Sequence, residues 1–424
     1  MDKKVSKIKN GLNGEITIPA DKSISHRAVM FSSLANGKSI IKNFSNGADP
    51  HSTLEIFKKL GVEFNFTNDE LHIISNGKLT PPCQNLDCGN SGTTMRLTSG
   101  ILAGQNFNSV LIGDESLSKR PMKRIIEPLT LMGAKIESND NKAPLRFVGQ
   151  RLSGIEYKTP IASAQVKSAI LLAGLFADGK TKVTEPYLSR NHTELMLSYM
   201  GANIKTDNTT TIIEKSILEP KTIEICGDIS SAAYFIVAGL IVPNSKIILK
   251  NVGLNPTRTG IIDVVKAMGG HIEILNEKVV SNELLGDIKV EYSKLKACEI
   301  SGDLIPRLID EIPVITVLAT QAEGTTTIKD AQDLRNKESD RIFAVVTELK
   351  KLGANIEEAP DGMIIYGKTS LTGNTTVGTY HDHRLAMSLY VAGLICEKEI
   401  LINEFDWINI SFPEFERLFT NLLT

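Results

Sequence analysis

Sulfur is scarce and scattered in this chain. Its 424 residues hold five cysteines, at positions 83, 88, 226, 298 and 396. The number is odd, the spacing is wide, and no histidine follows Cys83 and Cys88 at zinc-finger spacing. A disulfide framework or structural zinc is therefore not expected; idle or buried thiols in a reducing cytoplasm are. Long apolar runs are also missing. The longest, such as residues 232–242, fall well short of the roughly 20 residues of a membrane span. The opening Met1-Asp2-Lys3-Lys4 leads into polar sequence without a signal-peptide core, so the expected location is cytoplasmic. Charge of one sign is lacking too. A net charge of −2 gives no global attraction to nucleic acid or to an acidic membrane. The glycine-rich loop at residues 89–96 contains no Gly-Lys-Ser/Thr, so it is not a Walker A loop, and the chain has no Rossmann Gly-x-Gly-x-x-Gly. What remains, 42% apolar and 23% charged residues, describes a globular protein with a full core and room for two or three domains.

The positive signal is repetition. Six apolar, helix-like stretches end in small turns at intervals of roughly 65–80 residues. The turns include Ala35-Asn36-Gly37, Ala177-Asp178-Gly179 and Ala322-Glu323-Gly324. Between them recurs an amphipathic helix closed by glycine and followed by a short alternating strand. The glycines are Gly61, Gly133, Gly201, Gly269 and Gly353, each placed to end a helix in the left-handed conformation. A sixth copy, at 415–423, is cut off by the end of the chain. Each unit reads as strand, helix, strand, helix and further strands, a small α/β module. Six such modules group as three and three, divided near Cys226-Gly227-Asp228.

The entries to the apolar helices carry the chemistry. They are small, polar and cationic: Asp21-Lys22-Ser23-Ile24-Ser25-His26-Arg27, Gly89-Asn90-Ser91-Gly92-Thr93-Thr94-Met95-Arg96, Ser163-Ala164-Gln165-Val166-Lys167, Gly227-Asp228-Ile229-Ser230-Ser231 and His381-Asp382-His383-Arg384. Helix N-termini with unpaired N–H groups and adjacent cations suit a small ligand bearing several negative charges. Taken singly, each has a plainer explanation as a capped helix or a flexible turn. Leu117-Ser118-Lys119-Arg120-Pro121-Met122-Lys123-Arg124 adds four cations in a loop before a helix expected to start at Pro121. Its Lys123 and Arg124 fit a solvated first turn. Asp310-Glu311 and Lys337-Glu338-Ser339-Asp340-Arg341 supply carboxylates beside cations, with Lys337 and Arg341 expected on one helical face. Such carboxylates can serve in proton transfer when buried among anionic groups. A metal reading of His381-Asp382-His383 is set aside, because one short segment seldom supplies a full site.

Together, Asp21-Lys22-Ser23-x-Ser25-His26-Arg27, Gly89 to Arg96, Arg120-Pro121-Met122, Lys337 to Arg341 and Asp382-His383-Arg384 resemble the motifs of the 5-enolpyruvylshikimate-3-phosphate synthase family, in order and over essentially the whole chain. The resemblance implies an α/β (α+β) fold: a two-domain inside-out α/β barrel of six βαβαββ-type modules, three per domain. It implies domains at 1–19 plus 227–424 and at 20–226, with the active site in the interdomain cleft. It implies transfer of the enolpyruvyl group of phosphoenolpyruvate to the 5-hydroxyl of shikimate 3-phosphate, in the shikimate pathway to aromatic amino acids, without metal or organic cofactor. By the same resemblance Lys22, Ser23, Arg27, Ser163, Ala164, Gln165, Arg190, Asp310 and Lys337 bind shikimate 3-phosphate. Lys22, Gly92, Arg120, Gln165, Arg341 and Arg384 bind phosphoenolpyruvate. Asp310 is the base at the 5-hydroxyl, Glu338 the proton donor to the methylene carbon, and Lys22 assists proton transfer and the leaving phosphate.

Three positions depart from part of the family. Ala164 replaces a serine, His192 a tyrosine and Ile410 a lysine near the end of the chain; Arg190 is expected to compensate at the phosphate. Three other readings compete, one of them a catalytically silent anion-binding protein, against which the carboxylates Asp310 and Glu338 argue. A UDP-N-acetylglucosamine enolpyruvyl transferase carries a cysteine in its mobile loop, and residues 112–122 have none. An RNA 3′-phosphate cyclase-like protein needs a broad basic surface, which the composition does not offer. The expected partners are thus small-molecule substrates, with neither nucleic acid nor membrane, and the expected state is a monomer.

Overall fold

The structure, a computed structural model, describes residues 1–423. The chain divides into two compact units: Met1–Pro19, Cys226–Val279 and Leu284–Thr424 form the first, Ala20–Ile225 and Val280–Glu283 the second. Among the described residues there are six sheets, three in each unit.

In the second unit the sheets repeat one plan. Thr222–Glu224 runs parallel to Asn36–Lys42, which pairs antiparallel with Glu70–Asn76, and Glu63–Thr67 completes the edge. Leu86–Asp87, Ser109–Ile112, Lys142–Val148 and Lys135–Asn139 form the next sheet in the same order. Glu156–Lys158, Lys180–Thr184, Thr210–Glu214 and Ile204–Asp207 form the third. The first unit follows suit, with Asn13–Thr17 lying parallel to Lys246–Gly253. Its last sheet has only three strands, Lys3–Val5, Ile400–Ile402 and Thr376–Val377. Thus the strand before the first buried helix belongs to the first unit, and the strand before the fourth, Thr222–Glu224, to the second. That exchange makes the first unit discontinuous.

Six helices are buried almost from end to end: Lys22–Leu34, Gly92–Ala103 and Ala164–Gly174 in the second unit, Ile229–Ile241, Ile312–Thr320 and His383–Gly393 in the first. Three of them, Ala164–Gly174, Ile229–Ile241 and Ile312–Thr320, are mostly apolar all round, so burial on all sides is their stable state. Small residues let them approach closely. A Cβ on Gly100 would lie 2.1 Å from the Ala169 carbonyl oxygen of the next buried helix. The sheets lie outside. Lys142–Val148 alternates buried and exposed positions as a strand with one wet face does. Helices inside and separate sheets outside make each unit an inside-out α/β barrel.

The amphipathic helices end where the glycines stand, and Gly61, Gly133, Gly201, Gly269 and Gly353 all have φ between +76° and +99°. The truncated sixth copy forms the helix Phe415–Asn421. Its Phe415 and Phe419 pack against Phe235, with the Phe235 and Phe419 rings 4.3 Å apart. Two local expectations fail. Ala35-Asn36-Gly37 is no turn: the helix leaves through the extended Ala35 straight into strand Asn36–Lys42. The helix expected from Pro121 starts at Lys123 with Met122 as its N-cap, and a short helix, Glu115–Lys119, precedes Arg120.

Candidate active site

The second unit gathers cations at three helix entries. Asp21 caps Lys22–Leu34, accepting from the Ile24 N–H at 2.8 Å. Lys22, in the first turn, meets Asp49 at 3.0 Å. One turn on, Arg27 is buried and donates to the Thr193 hydroxyl (2.8 Å), the Ser23 carbonyl (2.9 Å) and the Ser168 hydroxyl (3.0 Å). No carboxylate among the described residues pairs with Arg27. Burial lowers its pKa to about 10, against the opposing pull of Glu194 and Asp21 and with the help of nearby Arg190. A buried guanidinium held by neutral dipoles is poised for an anion.

The second entry is the loop before Gly92–Ala103, capped by Ser91. A Cβ on Gly92 would stand 2.9 Å from Arg96 Nη1 and 3.4 Å from Arg120 Nη1, so both guanidiniums flank the glycine. Arg120, also buried, donates to Asn90 Oδ1 at 2.9 Å. Asn90 in turn donates to Asp114 at 2.7 Å, which ties the Arg120 segment to this loop. Arg96 donates to Gln165 Oε1 at 2.6 Å, and Gln165 Nε2 to the Thr93 hydroxyl at 3.0 Å. Gly92, Arg96, Arg120 and Gln165 thus form one cluster.

The third entry opens Ala164–Gly174, and Ser163 makes no side-chain cap there among the described residues. Its N–H is held instead by Glu185 at 3.2 Å. Glu185 also accepts the Ser189 hydroxyl at 2.5 Å and meets Lys167 at 2.8 Å, while Lys167 meets Glu194 at 2.7 Å. Lys167 is therefore a buried structural cation. Burial opposes its charge, but Glu194 and Glu185 prevail and raise its pKa. His192 pairs with Glu283 at 2.6 Å in the interior.

The first unit builds a different cluster, centred on Asp310. Lys337 Nζ lies 3.4 Å and Arg341 Nη1 3.2 Å from Asp310 Oδ1, and Arg384 Nη2 lies 3.8 Å from Oδ2. Arg341, almost fully buried, also meets Glu338 at 2.6 Å and Asp382 at 2.7 Å. Burial opposes the Arg341 charge, but Asp382, Glu338 and Asp310 outweigh it and raise its pKa. Asp382 caps His383–Gly393 through the Arg384 N–H at 2.9 Å. Here three cations face three carboxylates.

Several expectations need correction. Lys337 and Arg341 do not share a helix: Lys337 follows the 3-10 turn Gln332–Asn336, and Asp340 caps a helix that begins at Arg341. They converge on Asp310 from consecutive elements instead. Helix N-termini are not uniformly open to anions. Asp21, Ser91, Asp228 and Asp382 already cap four of the six buried helices, three of them with carboxylates. Cationic side chains, rather than bare helix ends, carry the positive potential there. His381 turns to the Trp407 ring (4.9 Å between centroids) and to Glu404. Ile410 ends the 3-10 segment Phe405–Ile410 and brings no charge.

Some residues were missed. Asp49 and Glu185 hold Lys22 and Lys167 in place, but nothing in their sequence surroundings marks them, and Asp382, which holds Arg341, lay inside a motif without a role of its own. Arg96 stood inside a quoted motif and was given no role. In the first unit, buried Arg258 joins Asp228 at 3.1 Å and Ser230 at 2.7 Å, and Ser230 donates to buried Glu311, next to Asp310.

The arrangement of helices inside and sheets outside recurs in solved structures. The enolpyruvyl transferase NikO from Streptomyces tendae shares it, with a TM-score of 0.80 over 99% of this chain and 96% of that one at 16% identity. The particular family follows from nearer relatives: the chain belongs to the EPSP synthase (3-phosphoshikimate 1-carboxyvinyltransferase) family, whose profile matches residues 6–419. It is 54% identical to a 3-phosphoshikimate 1-carboxyvinyltransferase of Thermoanaerobacter sp. over 100% of both chains. A Bacillus licheniformis relative of the same name is 53% identical over 96% of each. EPSP synthase from Acinetobacter baumannii superposes with a TM-score of 0.89 at 40% identity, covering 100% of this chain and 98% of that one.

Proposed function

We infer that this chain transfers the 1-carboxyvinyl group of phosphoenolpyruvate to the 5-hydroxyl of shikimate 3-phosphate, releasing phosphate, as a transferase of aromatic amino-acid biosynthesis. Family membership supports the reaction. The division of charge between the clusters suggests who does what. Lys22, Arg27, Arg96, Arg120 and Arg190, a set rich in guanidiniums, suit phosphates. The charge-balanced cluster at Asp310 suits proton transfer.

In this reading Lys22, Ser23, Arg27, Ser163, Ala164 (through its backbone), Gln165 and Arg190 hold shikimate 3-phosphate, and Asp310 and Lys337 join them. Lys22, Gly92, Gln165, Arg120, Arg341 and Arg384 hold phosphoenolpyruvate. Asp310 takes the proton of the 5-hydroxyl as its oxygen attacks the substituted enol carbon. Glu338 gives a proton to the methylene carbon, forming a methyl group and a tetrahedral ketal phosphate. The C–O bond to phosphate then breaks, with Lys22 beside the departing oxygen, and the methyl group returns a proton to restore the double bond. Two anionic substrates repel each other, and fixed cations in a dry site offset that repulsion. The two clusters belong to different units, so the reading requires them to serve one site in the interdomain cleft. A cytoplasmic monomer is the form this reading assumes.

The observation that carries the chemistry is the meeting of Lys337, Arg341 and Arg384 on Asp310, with Glu338 on the same Arg341 guanidinium. Phosphate release should require both substrates and persist in excess chelator. Asp310→Asn and Glu338→Gln should each lower kcat by about 10²–10⁴-fold. Full turnover in both variants would remove their assigned roles.

A further inference from the structure

Four buried polar side chains of the second unit have no part in the reaction as described. His26, Thr53, Thr94 and Ser91 are at most 1% exposed. They form an unbroken chain: His26 Nδ1 to Thr53 Oγ1 at 2.7 Å, Thr53 Oγ1 to Thr94 Oγ1 at 2.8 Å, and Thr94 Oγ1 to Ser91 Oγ at 2.7 Å. In the last link Thr94 donates, and Ser91 Oγ also accepts the Thr94 N–H at 3.1 Å as the helix cap.

That link orders the rest. A hydroxyl carries one proton. With the Thr94 proton given to Ser91, Thr53 must donate to Thr94, and His26 must donate from Nδ1 to Thr53. Nε2 is then the bare nitrogen, and it is buried without a hydrogen-bond partner among the described residues. Burial, together with Lys22 and Arg27, pushes the imidazole pKa well below its ordinary value and keeps the ring neutral.

The ends of the chain matter. His26 lies one turn from Lys22 on the same helix, and Ser91 caps the helix that starts at Gly92. Thr53 lies one turn from Asp49 on helix Ala48–Lys59, and Asp49 holds Lys22. That helix therefore grips Lys22 and His26 on successive turns, and Thr53 passes the contact on to the Gly92 loop. A directional polar chain specifies one register where apolar packing tolerates several.

We propose that the His26–Thr53–Thr94–Ser91 chain fixes the distance between Lys22 and the Gly92 loop, and that Thr53 is a positioning residue for phosphoenolpyruvate. The proposal rests on the reading of Lys22 and Gly92 as phosphoenolpyruvate contacts. Thr53→Val keeps the shape and removes the hydroxyl. It should raise KM for phosphoenolpyruvate roughly tenfold, since a misplacement of about 1 Å is costly at a reacting centre. KM for shikimate 3-phosphate, which Ser23, Arg27, Ser163, Gln165 and Arg190 hold besides Lys22, should stay within about twofold, and Thr53→Ser should restore the wild-type values. Unchanged KM values, or an equal rise in both, would overturn the proposal. A second readout needs no turnover. Among the seven histidines, long-range ¹H–¹⁵N spectra should show His26, assigned by loss of its signal in His26→Gln, protonated at Nδ1. A proton on Nε2 would overturn the donor order. Failure of the functional reading itself would show separately, as absence of phosphate release by the wild type.

Discussion

Arg27 and Arg341 are both buried guanidiniums, and they are accommodated in opposite ways. Arg27 rests on two hydroxyls and a carbonyl, whereas Arg341 rests on three carboxylates. Loss of the first charge should harm binding, and loss of the second should harm the fold. Arg27→Gln should weaken binding of shikimate 3-phosphate about 10–100-fold, the scale of a charge-assisted hydrogen bond, with little change in melting temperature. Arg341→Gln should cost about 3–5 kcal/mol of stability by stranding buried carboxylates, read by denaturant unfolding. At Gly92, a methyl group would press on the Arg96 and Arg120 guanidiniums. Gly92→Ala should raise KM for phosphoenolpyruvate at least about tenfold and leave binding of shikimate 3-phosphate nearly unchanged.

At the scale of elements, three helix starts depend on the buried carboxylates Asp21, Asp228 and Asp382. Asp382 caps His383–Gly393 and grips Arg341. Burial would raise its pKa, but Arg341 outweighs that and holds it below the usual aspartate value. In acid the unfolded chain therefore binds this proton first. The contribution of Asp382 to stability is full above about pH 4 and is lost as pH falls through its native pKa. Asp382→Asn should lower stability by about 3–5 kcal/mol at neutral pH and flatten the acid limb of the unfolding curve. Lys167 plays the converse part between Glu185 and Glu194. The glycine-closed helices and the apolar helices could be read from the sequence, because their periodicity and punctuation are local. Arg27, Arg120 and Arg384 were visible because they sit inside compact motifs. Asp49 and Glu185 were not, since each acts on a partner 27 or 18 residues away along the chain. The shared helical face of Lys337 and Arg341 failed for a related reason: spacing suggested a helix that Asp340 starts four residues later.

For the whole molecule, the proposed reaction needs clusters from both units to act on the same pair of substrates. The two ligands together should stabilise the units as one: at 100-fold excess over Kd each site adds about 2.7 kcal/mol. Hydrogen exchange should slow at Arg27 and at Arg341 only when both substrates, or both products, are present. Small-angle scattering should show a smaller radius of gyration in that state. Protection confined to one unit would contradict a shared site.

The exchange of strands between modules also sets a timetable for biosynthesis. Lys3–Val5 pairs with Ile400–Ile402, and Asn13–Thr17 with Lys246–Gly253. At about 5–20 residues per second of translation, the earliest segment waits roughly 20–80 s for its last partner to leave the ribosome. The Ala20–Ile225 stretch lacks only the four-residue segment Val280–Glu283 and can mature long before then. A nascent chain stalled near residue 300 should therefore carry a protease-resistant middle and a still-cleavable beginning.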